Sequence, residues 1–255
     1  MIHAAAASSD AAGIQPDEGD SQSTLPLHLP DVDLSETRYS IRLVGRQTAE
    51  AWFGRWHYLG DAPPVSDYWG LFAPDLAAVV SIGLPNNVHG VAGRLGLTEI
   101  PGNVEVNRVA VHPDCHDHTS RLVWLAVKAA QRAGGWAWCY SYADTGRGHH
   151  GGIYQALGAV YVGLTDARAG WINDDGDSIH PRTAVSLYGS QSIATMEAYG
   201  FVKVPGMIPP RHTYVIPVGP RAAEVRAALE PIALPYPKRV RPGVVWYQPT
   251  FGLVP

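Results

Sequence analysis

A chain of 255 residues that is 46% hydrophobic can bury a substantial core, and its length suits one domain with extensions. No stretch approaches the roughly 18 consecutive apolar residues of a membrane span, the start MIHAAAASSDAAG lacks a basic segment leading into an apolar one, and Cys115 and Cys139 are too few for a disulfide framework. These features exclude a membrane helix, argue against export and suit a reducing cytoplasm. The net charge of −4 is uneven: Asp10, Asp17, Glu18, Asp20, Asp31, Asp33 and Glu36 precede the first basic residue, Arg38, so the rest of the chain is slightly basic and permits a polyanionic partner.

Residues 1–37, rich in Ala, Ser, Asp and Pro without periodicity, predict a disordered acidic tail. From Tyr39 the pattern changes. YSIRLV (39–44) alternates as a strand, and QTAEAWFGRWH (47–57) places Ala51, Trp52 and Trp56 at helical spacing. YWGLF (68–72) and LAAVVSIG (76–83) flank Ala73-Pro74-Asp75 as a hairpin. VEVNRVAV (104–111) is the clearest strand, and its alternation puts Val104, Val106 and Ala110 on one face with Arg108. A helix capped by Thr119 or Ser120 then carries Leu122, Leu125, Ala126 and Ala129 on one stripe until Gly134-Gly135 stops it. WAWCYSY (136–142), a short helix over 152–157, AVYVG (159–163) and HTYVIPV (212–218) complete the elements. This order predicts a mixed α/β sheet in one domain over 38–219, followed by a Pro-rich, basic and aromatic arm over 220–255.

Chemistry concentrates in SYADTGRGHHGGIYQALGAVYVG (141–163). Tyr142 and Asp144 fall at the end of a strand, where sites form in α/β folds, although an Asp there can simply cap the turn into Thr145-Gly146. Gly146, Gly148, Gly151 and Gly152 allow close backbone approach, and His149 and His150 offer base chemistry, phosphate contact or metal ligation. HPDCHDHT (112–119) holds His112, Cys115, His116 and His118, but the spacing matches no standard zinc site, and a strand-to-helix loop holding an anion at the helix start is the better reading. RWHYLGDAPP (55–64) reads as an aromatic helix end that is either core or site. SIHPRTAVSLYGSQS (178–192) offers His180, Arg182, Ser190 and Ser192 to phosphate, with a solvated loop as the alternative. Near the C-terminus Lys238, Arg239 and Arg241 precede Trp246, Tyr247 and Phe251; this segment either packs back on the domain or grips phosphates and stacks bases.

Read in order, HYLG (57–60), VVSIGLP (79–85), EVNRVAV (105–111), TSRLVWLAVK (119–128), the 141–163 loop and HTYVIPVG (212–219) resemble the Mom family of phage DNA-modification proteins. The most specific piece is the Tyr-Ala-Asp, glycine-His, Ile-Tyr-Gln succession. The resemblance implies the fold of the GCN5-related acyltransferases and the attachment of a carbamoylmethyl group to N6 of adenine in double-stranded DNA, which protects phage DNA from host restriction. It implies a functional set of Arg108, Ser120, Asp144 and Tyr154, with His57 and Tyr58 as the early His-Tyr pair. It also implies iron, with His57, Tyr58 and Asp144 or Tyr154 as ligands. The wider superfamily cradles coenzyme A with a glycine-containing loop at this helix start, whereas here the loop is CHDHTSR. This departure puts ordinary acetyl-CoA chemistry in doubt, while Ser120, Arg121 and the helix start can still hold an unidentified anionic donor.

The expected mechanism flips the target base into a pocket walled by Tyr142, Tyr154 and Trp56, where Asp144 takes the N6 proton. Arg108 orients Asp144 or a donor carbonyl, His149 or His150 contacts phosphate or relays the proton, and Arg147, Arg182, Lys238, Arg239 and Arg241 face the nucleic acid. Two other classes stay open: an acyl-CoA-dependent N-acetyltransferase on a small amine or protein, and a non-catalytic DNA-binding anti-restriction protein. A dimer is also left open.

Overall fold

The computed structural model describes residues 39–63, 66–84, 88–179 and 181–239. The expected acidic tail, His180, Arg241 and the aromatics of the last fifteen residues lie outside them. The fold is mixed α/β. Ten strands, β1 (Ser40–Leu43), β2 (Asp67–Phe72), β3 (Leu76–Gly83), β4 (Val104–Val111), β5 (Trp138–Asp144), β6 (Val160–Leu164), β7 (Arg168–Asn173), β8 (Ser178–Ile179), β9 (Phe201–Ile208) and β10 (Arg211–Pro217), form two sheets. Seven belong to the main sheet, in the order β1-β2-β3-β4-β5-β10-β6, and three to a smaller sheet, β8-β7-β9. The helices are α1 (Arg46–Trp56), α2 (Val88–Leu95), α3 (Thr119–Gly134), α4 (Gly152–Ala156), α5 (Pro181–Tyr188), α6 (Ile193–Ala198) and α7 (Ala222–Leu229).

Side-chain alternation along β5 shows why both faces of the main sheet are covered. Cys139 and Ala143 enter a core with Leu122, Val123 and Ala126 of α3 and Tyr154 of α4. Trp138 and Tyr140 point the other way, onto Val91 and Leu95 of α2 and Val225 and Leu229 of α7. α1 lies on that second face too, with Ala49 and Phe53 packed on Val79 and Ala110. The 220–255 segment is thus no free arm at its start: α7 buries Val225 and Leu229 completely.

β4 departs from simple alternation. Ser81 pairs with Arg108 but Ile82 pairs with Val106, so Asn107 is an extra residue in the ladder. Such a bulge reverses facing beyond it. Val104 and Val106 pack with α3, whereas Ala110 packs with α1. The single face expected for Val104, Val106, Arg108 and Ala110 is therefore split, and Arg108 shares only the facing of Ala110.

β4 and β5 run parallel and pair only at Val104–Cys139 and Glu105–Tyr140. Past these pairs no ladder joins them, and the Ser141 hydroxyl bridges to the Val106 carbonyl instead, at 2.8 Å. Because α3 is the connection between two parallel strands, its N-terminus, the end of β4 and Asp144 share one end of the sheet. The helix ends at Gly135 in the left-handed region, as its glycines suggest, but its start differs. His118 occupies the cap position without a side-chain bond, and the Thr119 hydroxyl donates to His116 O at 2.7 Å, because a 3₁₀ turn over Pro113–His118 runs straight into the helix.

Between β6 and β10 the chain forms a subsidiary unit absent from the sequence-based expectation. β7, β8 and β9, with α5 and α6, surround Trp171, Ala184, Met196 and Phe201. The 178–192 stretch is part of it, and Arg182 falls in the first turn of α5.

Candidate active site

The end of β5 leads into a compact loop. Asp144 Oδ1 accepts the Gly146 N–H at 2.9 Å and starts a 3₁₀ turn over Thr145–Arg147. One carboxylate oxygen does cap the turn, as the simpler reading holds, and the other makes no hydrogen bond among the described residues. Gly148 and Gly151 take positive φ, 69° and 80°, to bring the chain back to α4. Gly151 admits no side chain: a Cβ there would fall 2.1 Å from Cε2 of Tyr214, whose hydroxyl donates to the His150 carbonyl.

Against this loop stands the end of α1. The Arg147 guanidinium lies 5.1 Å over the Tyr58 ring, and His149 meets the same ring edge-on at 5.9 Å. Tyr58 in turn stacks on His57 at 4.5 Å. Two stretches some 90 positions apart, HYLG and the glycine-His loop, thus form one mouth. Burial, and next the nearby Asp144 charge, raise the Tyr58 phenol above its ordinary range, which keeps it a hydrogen-bond donor. Burial, followed by the Arg108 charge, lowers His57 to about 4, so its ring is neutral at neutral pH.

Of the two partners expected for Arg108, Asp144 or a donor carbonyl, Asp144 is not the carboxylate it pairs with. Arg108 Nη1 pairs with Asp61 Oδ1 at 2.5 Å, with the Arg108 side chain 14% exposed and Asp61 68%. The bulge at Asn107 turns Arg108 toward the α1–β2 loop, where Asp61 lies in the same GDAPP run that follows HYLG. The residue beside Asp144 is instead Arg211, its register partner on β10, whose guanidinium covers the Tyr142 ring at 4.3 Å. Asp61 and Arg211 carried no sequence signal of their own, since register and the bulge decide their placement.

Tyr154 approaches from the opposite face of the sheet. Its hydroxyl lies 2.7 Å from Ser141 Oγ, which lies 2.8 Å from the Val106 carbonyl. A carbonyl can only accept, and serine has one proton, so Ser141 donates to Val106 and Tyr154 donates to Ser141. The phenol is raised to about 12, chiefly by burial. Tyr58 is among the groups whose charge bears on the Tyr154 phenol. Tyr142 and Tyr154 lie on opposite sides of β5 and do not wall one pocket. Trp56 is turned away onto His112, ring centres 5.1 Å apart.

The remaining candidates separate. Unlike His149 and Arg147, His150 makes no ring contact with Tyr58 among the described residues; burial, then the charges of Arg239 and His149, lowers its ring. Ser120 and Arg121 open α3 at the same end of the sheet, a position suited to an anionic donor group. Among the described residues no group of three or more His, Cys, Asp or Glu is arranged to hold a metal ion. The residues implied for iron, His57, Tyr58 and Asp144, are an imidazole, a phenol and a carboxylate, and the first two stack on one another. His57 Nδ1 accepts the Leu59 N–H at 3.2 Å, so the neutral ring carries its proton on Nε2, and the Tyr58 phenol resists ionisation. The arrangement offers a carboxylate, a neutral imidazole, the exposed phenol of Tyr58 and the buried phenol of Tyr154, bordered by the cations of Arg108, Arg147 and Arg211.

No helix among the described residues is long and apolar enough to cross a membrane. No curated protein sequence matches the chain. Solved structures of similar shape are N-acyltransferases. The ribosomal-protein-S18-alanine N-acetyltransferase of Escherichia coli is 10% identical, with 71% of this chain and 94% of that chain covered and a TM-score of 0.40. The Drosophila melanogaster polyamine N-acetyltransferase is 11% identical (71% and 100% covered, TM-score 0.42), and an N-acyl amino acid synthase from uncultured soil microbes is 14% identical (74% and 94%, 0.41). The model of the Mom protein family matches residues 38–238, nearly the whole described region, and the chain belongs to the Mom protein family.

Proposed function

We propose that this transferase attaches a carbamoylmethyl group to N6 of adenine in DNA and so shields phage DNA from host restriction. Family membership supports transfer chemistry; the choice of substrate is our reading. The observation that carries it is the convergence of the His57-Tyr58 pair and the Asp144–His149 loop, bordered by the Arg108–Asp61 pair, where the β4–β5 ladder ends. The N6 amine is a poor nucleophile because its lone pair is delocalised into the ring, and in a duplex it is also paired. Flipping the base addresses the pairing, and a carboxylate addresses the proton.

The free oxygen of Asp144 accepts a hydrogen bond from N6. As nitrogen bonds to the donor's methylene carbon, the donor's leaving group departs with the electron pair of the broken bond, and the N6 proton passes to Asp144. Arg108, held by Asp61, acts on the donor carbonyl rather than on Asp144. Tyr58 stacks or donates from the His57 side, and Arg147 and Arg211 face the strand that carries the base.

The test is restriction of DNA from cells expressing the full chain, using an enzyme whose site contains adenine. Resistance with the wild type and cleavage with Asp144→Asn supports the reading. Equal cleavage in both overturns it.

A further inference from the structure

Packing back on the domain and contacting phosphate were alternatives for the C-terminal segment in the sequence, and residues 234–237 show the first. β6 ends the main sheet, leaving one edge unpaired. Residues 234–237 run along that edge: Leu234 N–H donates to Tyr161 O at 2.8 Å and the Tyr236 hydroxyl to Ala159 O at 2.6 Å. The segment is then tied to the glycine-His loop through Gln155 of α4. The Gln155 amide nitrogen lies 3.1 Å from Pro237 O and 3.0 Å from both His150 O and the Tyr214 hydroxyl.

The next two residues, Lys238 and Arg239, are exposed, and Arg239 sits close enough to His150 to act on its ring. Arg147 on that loop lies over Tyr58, and Arg211, beside Asp144 on β10, lies over Tyr142. None of these four cations has a carboxylate partner among the described residues, in contrast to Arg46, Arg108 and Arg221. Cations without a carboxylate partner, two of them guanidinium groups backed by aromatic rings, suit phosphates.

We propose that the docked segment 234–239 is part of the substrate surface, and that Arg147, Arg211, Lys238 and Arg239 form a track for the phosphodiester backbone of the modified strand. This deepens the DNA-modification reading and rests on it. Gln155 is the positioning residue: it holds the strap against the loop, so backbone contact at Arg239 and base capture beside His149 use one rigid piece.

The experiment is the salt dependence of binding between the full chain and a short fluorescent duplex, for the wild type, the Lys238→Gln/Arg239→Gln double variant and Gln155→Met. Each lost phosphate contact lowers the slope of log affinity against log salt by about 0.9, so the double variant should lose about 2 from the slope. Gln155→Met, with every cation retained, should lose a similar amount because the strap is released. Wild-type slope and affinity in the double variant would overturn the track, and a wild-type slope in Gln155→Met alone would overturn the tether. Modified adenine in cells together with an unchanged slope rejects the track alone. A reduced slope with no modified adenine from the wild type rejects the enzymatic reading while the surface stands.

Discussion

The hydrogen-bond order Tyr154 to Ser141 to Val106 makes the two side chains unequal in a way that unfolding experiments can read. Ser141 is 1% exposed and Tyr154 8%, so neither can turn to water if its partner is lost. Ser141→Ala orphans two buried groups, the Tyr154 hydroxyl and the Val106 carbonyl. At about 1–3 kcal/mol for each, with some relaxation, the cost is roughly 2–4 kcal/mol. Tyr154→Phe keeps the ring and leaves Ser141 donating to Val106, so it loses one ordinary hydrogen bond, about 0.5–1.5 kcal/mol. Combined, the two changes leave only Val106 unpaired, and the double variant should be more stable than additivity implies by roughly 1 kcal/mol. Urea unfolding of the full chain and the three variants, followed by far-UV circular dichroism, measures all four corners. A Tyr154→Phe penalty equal to or above that of Ser141→Ala, or strict additivity, would show that the phenol proton points elsewhere, toward the mouth.

Three further outcomes follow from the same geometry. Arg108→Gln leaves Asp61 in water, so stability should change by less than about 1 kcal/mol while adenine modification falls at least tenfold; nearly normal modification would remove Arg108 from the site. Gly151→Ala forces a side chain into positive φ and into the Tyr214 ring, and should cost about 2 kcal/mol or more, seen as a lower unfolding midpoint; a wild-type midpoint would contradict the loop geometry. His57 has a folded pKa near 4 against 6.5 unfolded, so the unfolded chain binds more protons between those values, and stability is lost as pH falls through that window but not above it. His57→Gln should lose less thermal stability than the wild type between pH 7 and pH 5, and equal losses would refute the shift.

Much of the main sheet was legible because its signals are local. The alternation of 104–111, the apolar stripe of 119–134 ended by glycines, and the hairpin over 68–83 all depend on neighbours along the chain. What escaped depends on partners far along it. The Asn107 bulge leaves the period-two pattern looking intact, yet it turns Arg108 toward Asp61. Arg211 comes to Asp144 only through antiparallel register. The unit carrying β7 to β9 was missed because Pro181, read as a loop residue, occupies the first turn of α5, where proline is well tolerated. The meeting of HYLG with the glycine-His loop was implied by resemblance alone, and its physical basis, ring stacking on Tyr58 beneath Arg147, is visible only in three dimensions.

The most direct test of the central claim is mass spectrometry of nucleosides from DNA of cells expressing the full chain, beside cells expressing Asp144→Ala. We expect a deoxyadenosine heavier by a carbamoylmethyl group with the wild type and none with the variant. Unmodified adenine in both, with each protein soluble and folded, would contradict adenine modification; equal modification in both would leave the activity standing and remove Asp144 as its base.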